Sequence, residues 1–243
     1  MSMTDIQNSK AVSAAPAPCP RCMRKLQNRH GKIWLNVGGG NSFLDGFVNI
    51  DSNFLVFLAP FYPAIKPVLK KPARDWLEMY KAKRRPNNFV FANCRLPLKF
   101  PDNSVDHILI SHFLEHLHYD DAVSVLKNYY SILKPGGALH IIIPDLAQKA
   151  REYVSHIGDA GAAESFVDGL LFRRRHIQRL SVRILQLTGW FDFEHCFMYD
   201  LASLSKLVGA AGFAIVPQNN SPSASYRVDD PCQVNVLARK LAE

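Results

Sequence analysis

KIWLNVGGGNSFLDGFVNID, residues 32–51, is the stretch of sequence that decides the fold. An apolar strand runs into three glycines at positions 38–40, and Asp51 ends a second apolar run. Glycine adopts positive φ without strain and has no Cβ to keep a ligand away from the backbone. An aspartate at the end of the next strand can accept hydrogen bonds from two ribose hydroxyls. The pattern predicts a nucleoside-cofactor site, with a plain tight turn as the alternative.

The spacing excludes two other kinds of nucleotide site. The glycines do not form a G-x-G-x-x-G pattern, and Asp51 follows Gly38 by 13 positions rather than by about 20. No lysine follows the glycines as it does in a P-loop. Neither a dinucleotide fingerprint nor a nucleoside-triphosphate loop is therefore expected.

Two later stretches extend the pattern: FANCRLPLKFPDNSVDHILISHFLEHL, residues 91–117, and LKPGGALHIIIPDL, residues 133–146. Together with residues 32–51 they resemble the class I S-adenosylmethionine-dependent methyltransferases, most closely the small type 11 group often found beside glycan and lipopolysaccharide genes. The resemblance spans residues 32–146, with weaker similarity at 195–213. It implies S-adenosylmethionine as cofactor and an α/β, Rossmann-like fold. In that fold a seven-stranded, mostly parallel sheet with one antiparallel strand carries helices on both faces.

The resemblance also assigns residues to the cofactor. The glycines pass under its methionine part, Asp51 holds the ribose diol, and Asn93 stands where relatives usually have an aspartate that meets the adenine amino group. An asparagine oxygen can still accept that bond, without charge assistance. Asn36 occupies a place near which relatives carry an acid. The predicted cofactor-binding residues are Gly38, Gly39, Gly40, Asp51, Asn93 and Ser111.

Three histidines are predicted catalytic residues: His112, His195 and His116. The first and last belong to SHFLEHL, at the end of the fourth strand, where relatives line the path from the sulfonium methyl group to its acceptor. His195 and Tyr199 match an H-x-x-M-Y stretch that closes over the acceptor in relatives. An imidazole there could remove a proton from a hydroxyl or an amine. The alternatives are a structural Glu115–His116 pair and a buried His195 bonded to backbone. Because alignment alone can accelerate methyl transfer, a missing base would not exclude the enzyme.

Length and composition indicate one domain. The chain has 243 residues, of which 48% are hydrophobic, enough for one sizeable core. Residues 1–31 are predicted to be a flexible leader, and residues 32–243 a single domain with insertions at about 53–86 and 147–194. Strands are predicted near 33–37, 47–50, 88–92, 105–110, 138–143, 213–217 and 232–239.

Two helices between those strands can be placed from the sequence. Ala122, Leu126 and Tyr129 recur at helical spacing, and the sequence Pro-Gly-Gly at 135–137 is predicted to close that helix. Asp200 is predicted to cap another helix, which Gly212 ends.

The sequence predicts a cytoplasmic protein. It contains no run of about 18 apolar residues, and its first residues lack the pattern of a signal peptide. Five cysteines in no regular rhythm fit a reducing compartment. Cys19 and Cys22 supply only two of the four ligands of a structural zinc, and His30 would be a third. No metal site is predicted, and a solvated leader with incidental cysteines is preferred to a zinc knuckle.

The net charge of +8 is concentrated in two segments. Residues 64–85 carry a net charge of +6 and residues 172–183 carry five arginines, so the rest of the chain is net negative. This separation indicates an anionic partner. Residues 54–71, FLVFLAPFYPAIKPVLKK, are apolar and then abruptly basic. They form either a lid that makes peripheral contact with an anionic membrane or a lipid-linked acceptor, or an insertion packed on the core.

Three functions follow from these observations. The first is methyl transfer to a small-molecule or glycan acceptor, with O-methylation preferred. The second is methylation of RNA, which the basic segments would allow through phosphate contacts; no appended RNA-binding motif supports it, and Trp76 and Tyr80 have the spacing of a core-facing stripe. The third, suggested by Asn36 and Asn93, is a catalytically silent binding protein.

Overall fold

A computed structural model describes residues 20–40, 42–85, 88–170, 195–217 and 232–242. Most of the predicted leader, the arginine-rich segment 172–183 and the side chains of Cys19 and Cys22 lie outside the described residues. Within the described ranges, no helix combines the length and the apolar character needed to cross a membrane.

Seven strands form one sheet in the order β3-β2-β1-β4-β5-β7-β6. Their bounds are β1 Trp34–Val37, β2 Val48–Asp51, β3 Phe89–Phe91, β4 Val105–Ser111, β5 Leu133–Pro144, β6 Ala214–Ile215 and β7 Gln233–Arg239. The pairs β1–β2, β1–β4, β2–β3 and β4–β5 are parallel, and β7 is antiparallel to both β5 and β6. The predicted fold class, with its mostly parallel seven-stranded sheet, is confirmed.

The helices follow the strands in an alternating order. Seven α-helices are described: α1 Pro20–Leu26, α2 Tyr62–Ile65, α3 Lys71–Lys83, α4 Tyr119–Ile132, α5 Leu146–Ser155, α6 Ala162–Gly169 and α7 Leu201–Ala210. Short 3-10 helices occur at Phe54–Phe61, Lys66–Val68 and Leu114–His116. Residues 38–47, of which all but Asn41 are described, contain no helix, as their shortness predicts.

The main core lies between the sheet and two of these helices. Ile108 and Ile110 of β4 point into it, and α4 and α7 cover it with a stripe at helical spacing. Leu109, between those isoleucines, belongs to a smaller cluster on the opposite face with Phe47 and Ile142. This alternation is the period of two that a strand buried on both faces requires.

The ends of α4 and α7 test the predicted helix signals. Asp200 caps α7: its side chain accepts a hydrogen bond from Ser203 N at 2.8 Å, and the Ser203 hydroxyl completes a capping box, as predicted. Helix α4, in contrast, ends at Ile132, and the predicted closure by Pro-Gly-Gly at 135–137 is wrong. Those residues belong to β5, because Gly136 N donates to Lys240 O at 2.8 Å and Lys240 N donates to Gly137 O.

The apolar segment 54–71 forms a second core of its own with α3. Tyr62 and Ala59 are buried against Trp76, Leu77 and the ring of Phe43. Other apolar side chains of the segment point outward: Phe57 is 59% exposed, Phe61 64% and Val68 82%. The segment therefore packs on the core and also displays apolar groups, and its contact with a membrane or an acceptor stays a prediction.

Candidate functional site

The carboxyl ends of four adjacent strands bring the predicted site residues to one edge of the sheet. The glycine turn follows β1, Asp51 ends β2, Asn93 lies two residues beyond β3, and Ser111 ends β4. These strands are neighbours in the order β3-β2-β1-β4, so the residues meet where ligands of open α/β sheets bind. All of these residues remain partly or fully exposed.

The glycine turn is shaped by the protein's own side chains. Gly38 has a φ of +66°, and a Cβ there would lie 2.6 Å from the ring of Phe113. Gly39 has no room for a Cβ either, because Asn36 Nδ2 would be 2.5 Å away. The sequence explains these glycines by the approach of a ligand, but at these two positions the approaching atoms belong to Phe113 and Asn36.

Asp51 holds the turn from the neighbouring strand. Its Oδ2 accepts a hydrogen bond from Gly40 N at 2.8 Å, and its Oδ1 accepts one from Asn53 N at 2.8 Å. Burial raises the pKa of this carboxyl, and these backbone hydrogen bonds oppose that rise. Each carboxylate oxygen has more than one lone pair, so Asp51 can hold the turn and still accept ribose hydroxyls.

A buried amide pair fixes the loop from the glycines to β2, and sequence reasoning missed it. Asn36 Nδ2 donates to Ser42 O at 2.6 Å and to Asn49 Oδ1 at 2.9 Å. Asn49 Oδ1 also accepts from Leu44 N at 2.9 Å. Asn36 is 1% exposed, so its amide stabilises the turn from the protein interior and is not accessible to a ligand.

Two further residues border the cofactor edge. Trp76 of α3 donates its indole N–H to Gly40 O at 3.1 Å, which ties the insertion to the glycine turn. Asn93 is exposed, and its Oδ1 accepts a hydrogen bond from Arg95 N at 3.0 Å. The Asn93 side chain thus closes a local turn and stands at the surface beside Asp51, whose backbone carbonyl accepts from Ala92 N.

His112 directly follows β4 in an unusual backbone conformation. Its φ is +53°, a left-handed value that is uncommon for residues other than glycine. Its Nε2 lies 3.0 Å from Gln233 Nε2, and its Nδ1 lies 3.4 Å from Glu115 Oε1. Such conformations persist where the surroundings enforce them, which is frequent at functional sites.

The other two predicted catalytic histidines meet behind His112. The ring centroids of His116 and His195 are 5.0 Å apart, and one ligating atom from each lies within 4.8 Å of a Glu115 oxygen and of each other. Burial lowers the pKa of His195, partly offset by the nearby Glu115 carboxylate. The Glu115 carbonyl accepts hydrogen bonds from Cys196 N at 2.8 Å and Phe197 N at 3.1 Å, which joins the two segments.

Glu115 is the residue at the centre of this arrangement; the sequence marks it as an ionisable candidate of SHFLEHL, but a structural first-turn pair with His116 was the preferred interpretation. It is 1% exposed, and within the described part of the chain neither carboxylate oxygen has a hydrogen-bond partner. Its ionic contact with His112 and its approach to His195 link residues far apart in sequence. No local spacing could have signalled that convergence.

Known proteins match the chain at the level of the domain. A family model described as "Methyltransferase domain" matches residues 19–218. No curated protein matches the chain. Among solved structures, an S-adenosylmethionine-dependent methyltransferase from Methanosarcina mazei is 18% identical, with a TM-score of 0.50, and the match covers 93% of this chain and 100% of that chain. The likeness shows the fold.

Two further solved structures match with lower TM-scores. The PH0226 protein of Pyrococcus horikoshii is 14% identical with a TM-score of 0.49, and the match covers 85% of this chain and 81% of that chain. A chain from the complex between the Haloferax volcanii Trm112 methyltransferase activator and a methyltransferase is 11% identical with a TM-score of 0.48. That match covers 91% of this chain and 88% of the other.

Proposed function

The chain belongs to the methyltransferase domain family and uses S-adenosylmethionine as its methyl donor, and we propose that its acceptor is a hydroxyl group of a glycan or another small molecule. The observation that carries the proposal is the position of His112. It follows β4, whose Ile110 pairs with Val37 just before the glycine turn. The imidazole therefore stands beside the cofactor edge, where an acceptor would have to approach.

The residues at the sheet edge fit this cofactor. The Asp51 carboxylate suits the ribose hydroxyls, the exposed Asn93 suits the adenine amino group, and the partly exposed glycine backbone leaves room for the amino-acid part. When bound, S-adenosylmethionine supplies a methyl group on a positively charged sulfur, which is an excellent leaving group. The protein's remaining task is to align the acceptor and to take its proton.

His112 is suited to take that proton. In the tautomer that carries its proton on Nδ1, which lies 3.4 Å from Glu115 Oε1, the Nε2 of His112 is the acceptor that faces the Gln233 amide. An acceptor hydroxyl that replaces this amide would pass its proton to Nε2 as its oxygen bonds to the methyl carbon and the carbon–sulfur bond breaks. Glu115 then acts as a positioning residue, because it fixes the tautomer of His112 and stabilises the imidazolium.

The aromatic residues of α3 argue against RNA as the acceptor. Trp76 is 3% exposed and Tyr80 is 2% exposed, so neither offers a face on which a base could stack. The resemblance of the motifs to the type 11 group supports a glycan instead. A glycan acceptor also fits the proposed role of His112, because a glycan offers hydroxyl groups from which an imidazole can take a proton.

We extend the proposal to the location of the acceptor, which is lipid-linked and reached at an anionic membrane surface. The exposed Phe57, Phe61 and Val68 and the exposed Lys70 and Lys71 belong to the same segment, 54–71, which therefore offers both apolar and cationic groups to solvent. Val68→Ser should reduce sedimentation with phosphatidylglycerol vesicles, whereas the matched Val154→Ser, in α5, should not. The extension would be contradicted if both variants sedimented equally with phosphatidylglycerol vesicles. It would also be contradicted if the wild type bound neutral vesicles as well as it binds anionic ones.

Titration calorimetry with S-adenosylhomocysteine tests the cofactor site. Asp51→Asn should weaken binding by about 1–3 kcal/mol, the size of a lost charged hydrogen bond, while keeping an acceptor for one of the two turn amides, those of Gly40 and Asn53. Asp45→Asn, at an exposed aspartate of the same loop, should bind like the wild type. Absence of saturable binding in the wild type would overturn the assignment and favour the silent binding protein.

Transfer of a radiolabelled methyl group tests the acceptor. The label should enter a glycan or lipid-linked glycan fraction as a methyl ether, identified by mass spectrometry after hydrolysis. Label in nuclease-sensitive material would replace the proposed acceptor with RNA, and label in a methylamine would exclude O-methylation.

A further inference from the structure

Three side chains with metal-binding atoms converge behind His112. Glu115 and His116 come from the 3-10 helix Leu114–His116, and His195 comes from a segment about 80 positions later. One ligating atom from each residue lies within 4.8 Å of the other two. The Glu115 carbonyl holds this later segment in place through the amides of Cys196 and Phe197. The convergence is therefore fixed by backbone contacts and not only by side-chain positions.

The Glu115 carboxylate is an independent indication that a cation belongs here. It is 1% exposed, and neither oxygen has a hydrogen-bond partner within the described ranges. A buried carboxylate costs several kcal/mol unless a cation compensates it. Its ionic contact with His112 spans 3.4 Å, longer than a charge-assisted hydrogen bond, and the His112 side chain is 37% exposed.

His195 presents the form of imidazole that metals bind. It is 7% exposed, and its Nδ1 is buried without a hydrogen-bond partner in the described part of the chain. An unprotonated imidazole nitrogen in this position has a lone pair to offer to a metal ion. A metal ion bound by this nitrogen and by a Glu115 carboxylate oxygen would provide a partner for both buried groups.

We propose that Glu115, His116 and His195 bind a divalent first-row transition-metal ion, with zinc as the best match. Two imidazoles and one carboxylate are a frequent donor set for zinc, and three protein ligands leave a coordination position open. Ligands at about 2.0–2.1 Å from a tetrahedral ion lie about 3.3 Å apart, so the three side chains draw together by up to about 1.5 Å. His116 is only half-buried, so the movement falls on a side chain in partial contact with solvent.

The site would act directly on the acceptor, and this role rests on the methyl transfer proposed above. A hydroxyl bound at the open position would lose its proton more easily, as metal-bound water does. His112 lies close to the three ligands, because its Nδ1 is 3.4 Å from Glu115 Oε1. Glu115 would thereby connect the ion that acidifies the hydroxyl with the base that takes its proton.

Cobalt and zinc titrations of the full chain test the binding itself. The Cys19→Ser/Cys22→Ser background removes a cysteine pair that could bind metal elsewhere, and any affinity tag is cleaved off. We expect one equivalent of Co²⁺, with the absorption bands of tetrahedral or five-coordinate cobalt, displaced by Zn²⁺. Glu115→Gln and His195→Gln should each weaken binding by at least about tenfold. His118→Gln, at an exposed neighbouring histidine, should bind like its parent.

The outcomes separate this proposal from the cofactor assignment. Absence of metal binding in the Cys19→Ser/Cys22→Ser parent, or its retention in Glu115→Gln and His195→Gln, would overturn the metal site whatever the affinity for S-adenosylhomocysteine. Circular dichroism shows which variants fold; if the buried Glu115→Gln and His195→Gln do not, the half-buried His116→Gln decides. A chain that binds metal but not S-adenosylhomocysteine would keep the metal site and lose the proposed methyl transfer.

Discussion

The Nδ1 atom of His112 lies 3.4 Å from the buried Oε1 of Glu115, three residues further along the chain. The left-handed φ of +53° at His112 lets the chain turn sharply after β4, so both side chains reach the same space. Glu115 is buried while His112 is half-buried, which places the carboxylate behind the imidazole. The two ring nitrogens of His112 thus have different neighbours: Nδ1 lies near Glu115, and Nε2 lies 3.0 Å from Gln233 Nε2.

We expect His112→Gln to lower the rate of methyl transfer by about 10²- to 10⁴-fold, the contribution of a positioned general base. Affinity for S-adenosylhomocysteine should not change, because the proposed cofactor contacts lie elsewhere. Steady-state rates and calorimetry on the same protein check both statements. His118→Gln is the matched control, and an unchanged rate in His112→Gln would leave alignment alone as the source of catalysis.

Gly39→Ala should destabilise the protein by about 1–3 kcal/mol, as overpacking does. A Cβ there would lie 2.5 Å from Asn36 Nδ2 and 3.0 Å from the Ser42 carbonyl, so the buried amide would have to move. Gly209→Ala is the same chemical change in α7, where nothing lies within 4 Å. It should stabilise by about 0.5–1 kcal/mol, since alanine favours helix. Urea unfolding measures the change in the free energy of unfolding for both variants. If both changes had the same sign, the packing described for the turn would be contradicted.

Asn36→Asp should destabilise the fold by about 1–3 kcal/mol or more. Asn36 Nδ2 donates to two acceptors, Ser42 O and Asn49 Oδ1. An aspartate carboxylate has no hydrogen to donate, so three acceptor oxygens would face one another without a donor between them. Asn93→Asp introduces the same change at an exposed position and should leave stability unchanged. Its charge should also strengthen binding of S-adenosylhomocysteine through the adenine amino group. Denaturant unfolding and calorimetry test the pair, and tolerance of Asn36→Asp would be evidence against the buried network.

Stability should depend on pH through His107. Burial, reinforced by the positive charges of His140 and Arg239, lowers the pKa of His107 to about 4. Between that value and the unfolded-state pKa of about 6.5, the unfolded chain holds a proton that the folded chain does not. Stability therefore rises with pH across this window, by up to about 3 kcal/mol, and the whole contribution is present above the window.

His107→Phe should flatten that rise, because phenylalanine fits beside the rings of Trp34 and Phe47 without titrating. Urea unfolding at several pH values from 4 to 7 measures the slope in both proteins. His30→Gln, at an exposed histidine, is the control and should keep the slope of the wild type. An unchanged slope in His107→Phe would assign the pH dependence to other buried histidines.

The sequence predicts best what local patterns control. The glycine turn, Asp51 at the end of β2 and the cap at Asp200 each follow from a rule about strand ends or helix starts, and the structure places them as predicted. The end of α4 was misplaced because Gly136 and Gly137 pair with Lys240, about a hundred positions away.

The convergence of Glu115 with His195 was missed for the same physical reason. Each residue belongs to a recognisable motif, but the distance between the motifs in space depends on how the late segment docks on the 3-10 helix. The hydrogen bond between Asn36 and Asn49 also cannot be predicted from the sequence, because no spacing pattern shows that two strand amides are buried against each other. Non-local contacts therefore account for the part of the site that the sequence did not predict.

The hydrogen bond from Trp76 to Gly40 has a consequence for how two ligands influence each other. It connects α3 directly to the glycine turn, which is the proposed cofactor site. We therefore expect a ligand that shifts α3 to alter the affinity of the turn. Thermodynamic reciprocity then requires the cofactor to alter the affinity of that ligand by the same factor. The Trp76 indole would thus couple binding of the methyl donor at the glycine turn to binding of an acceptor at α3.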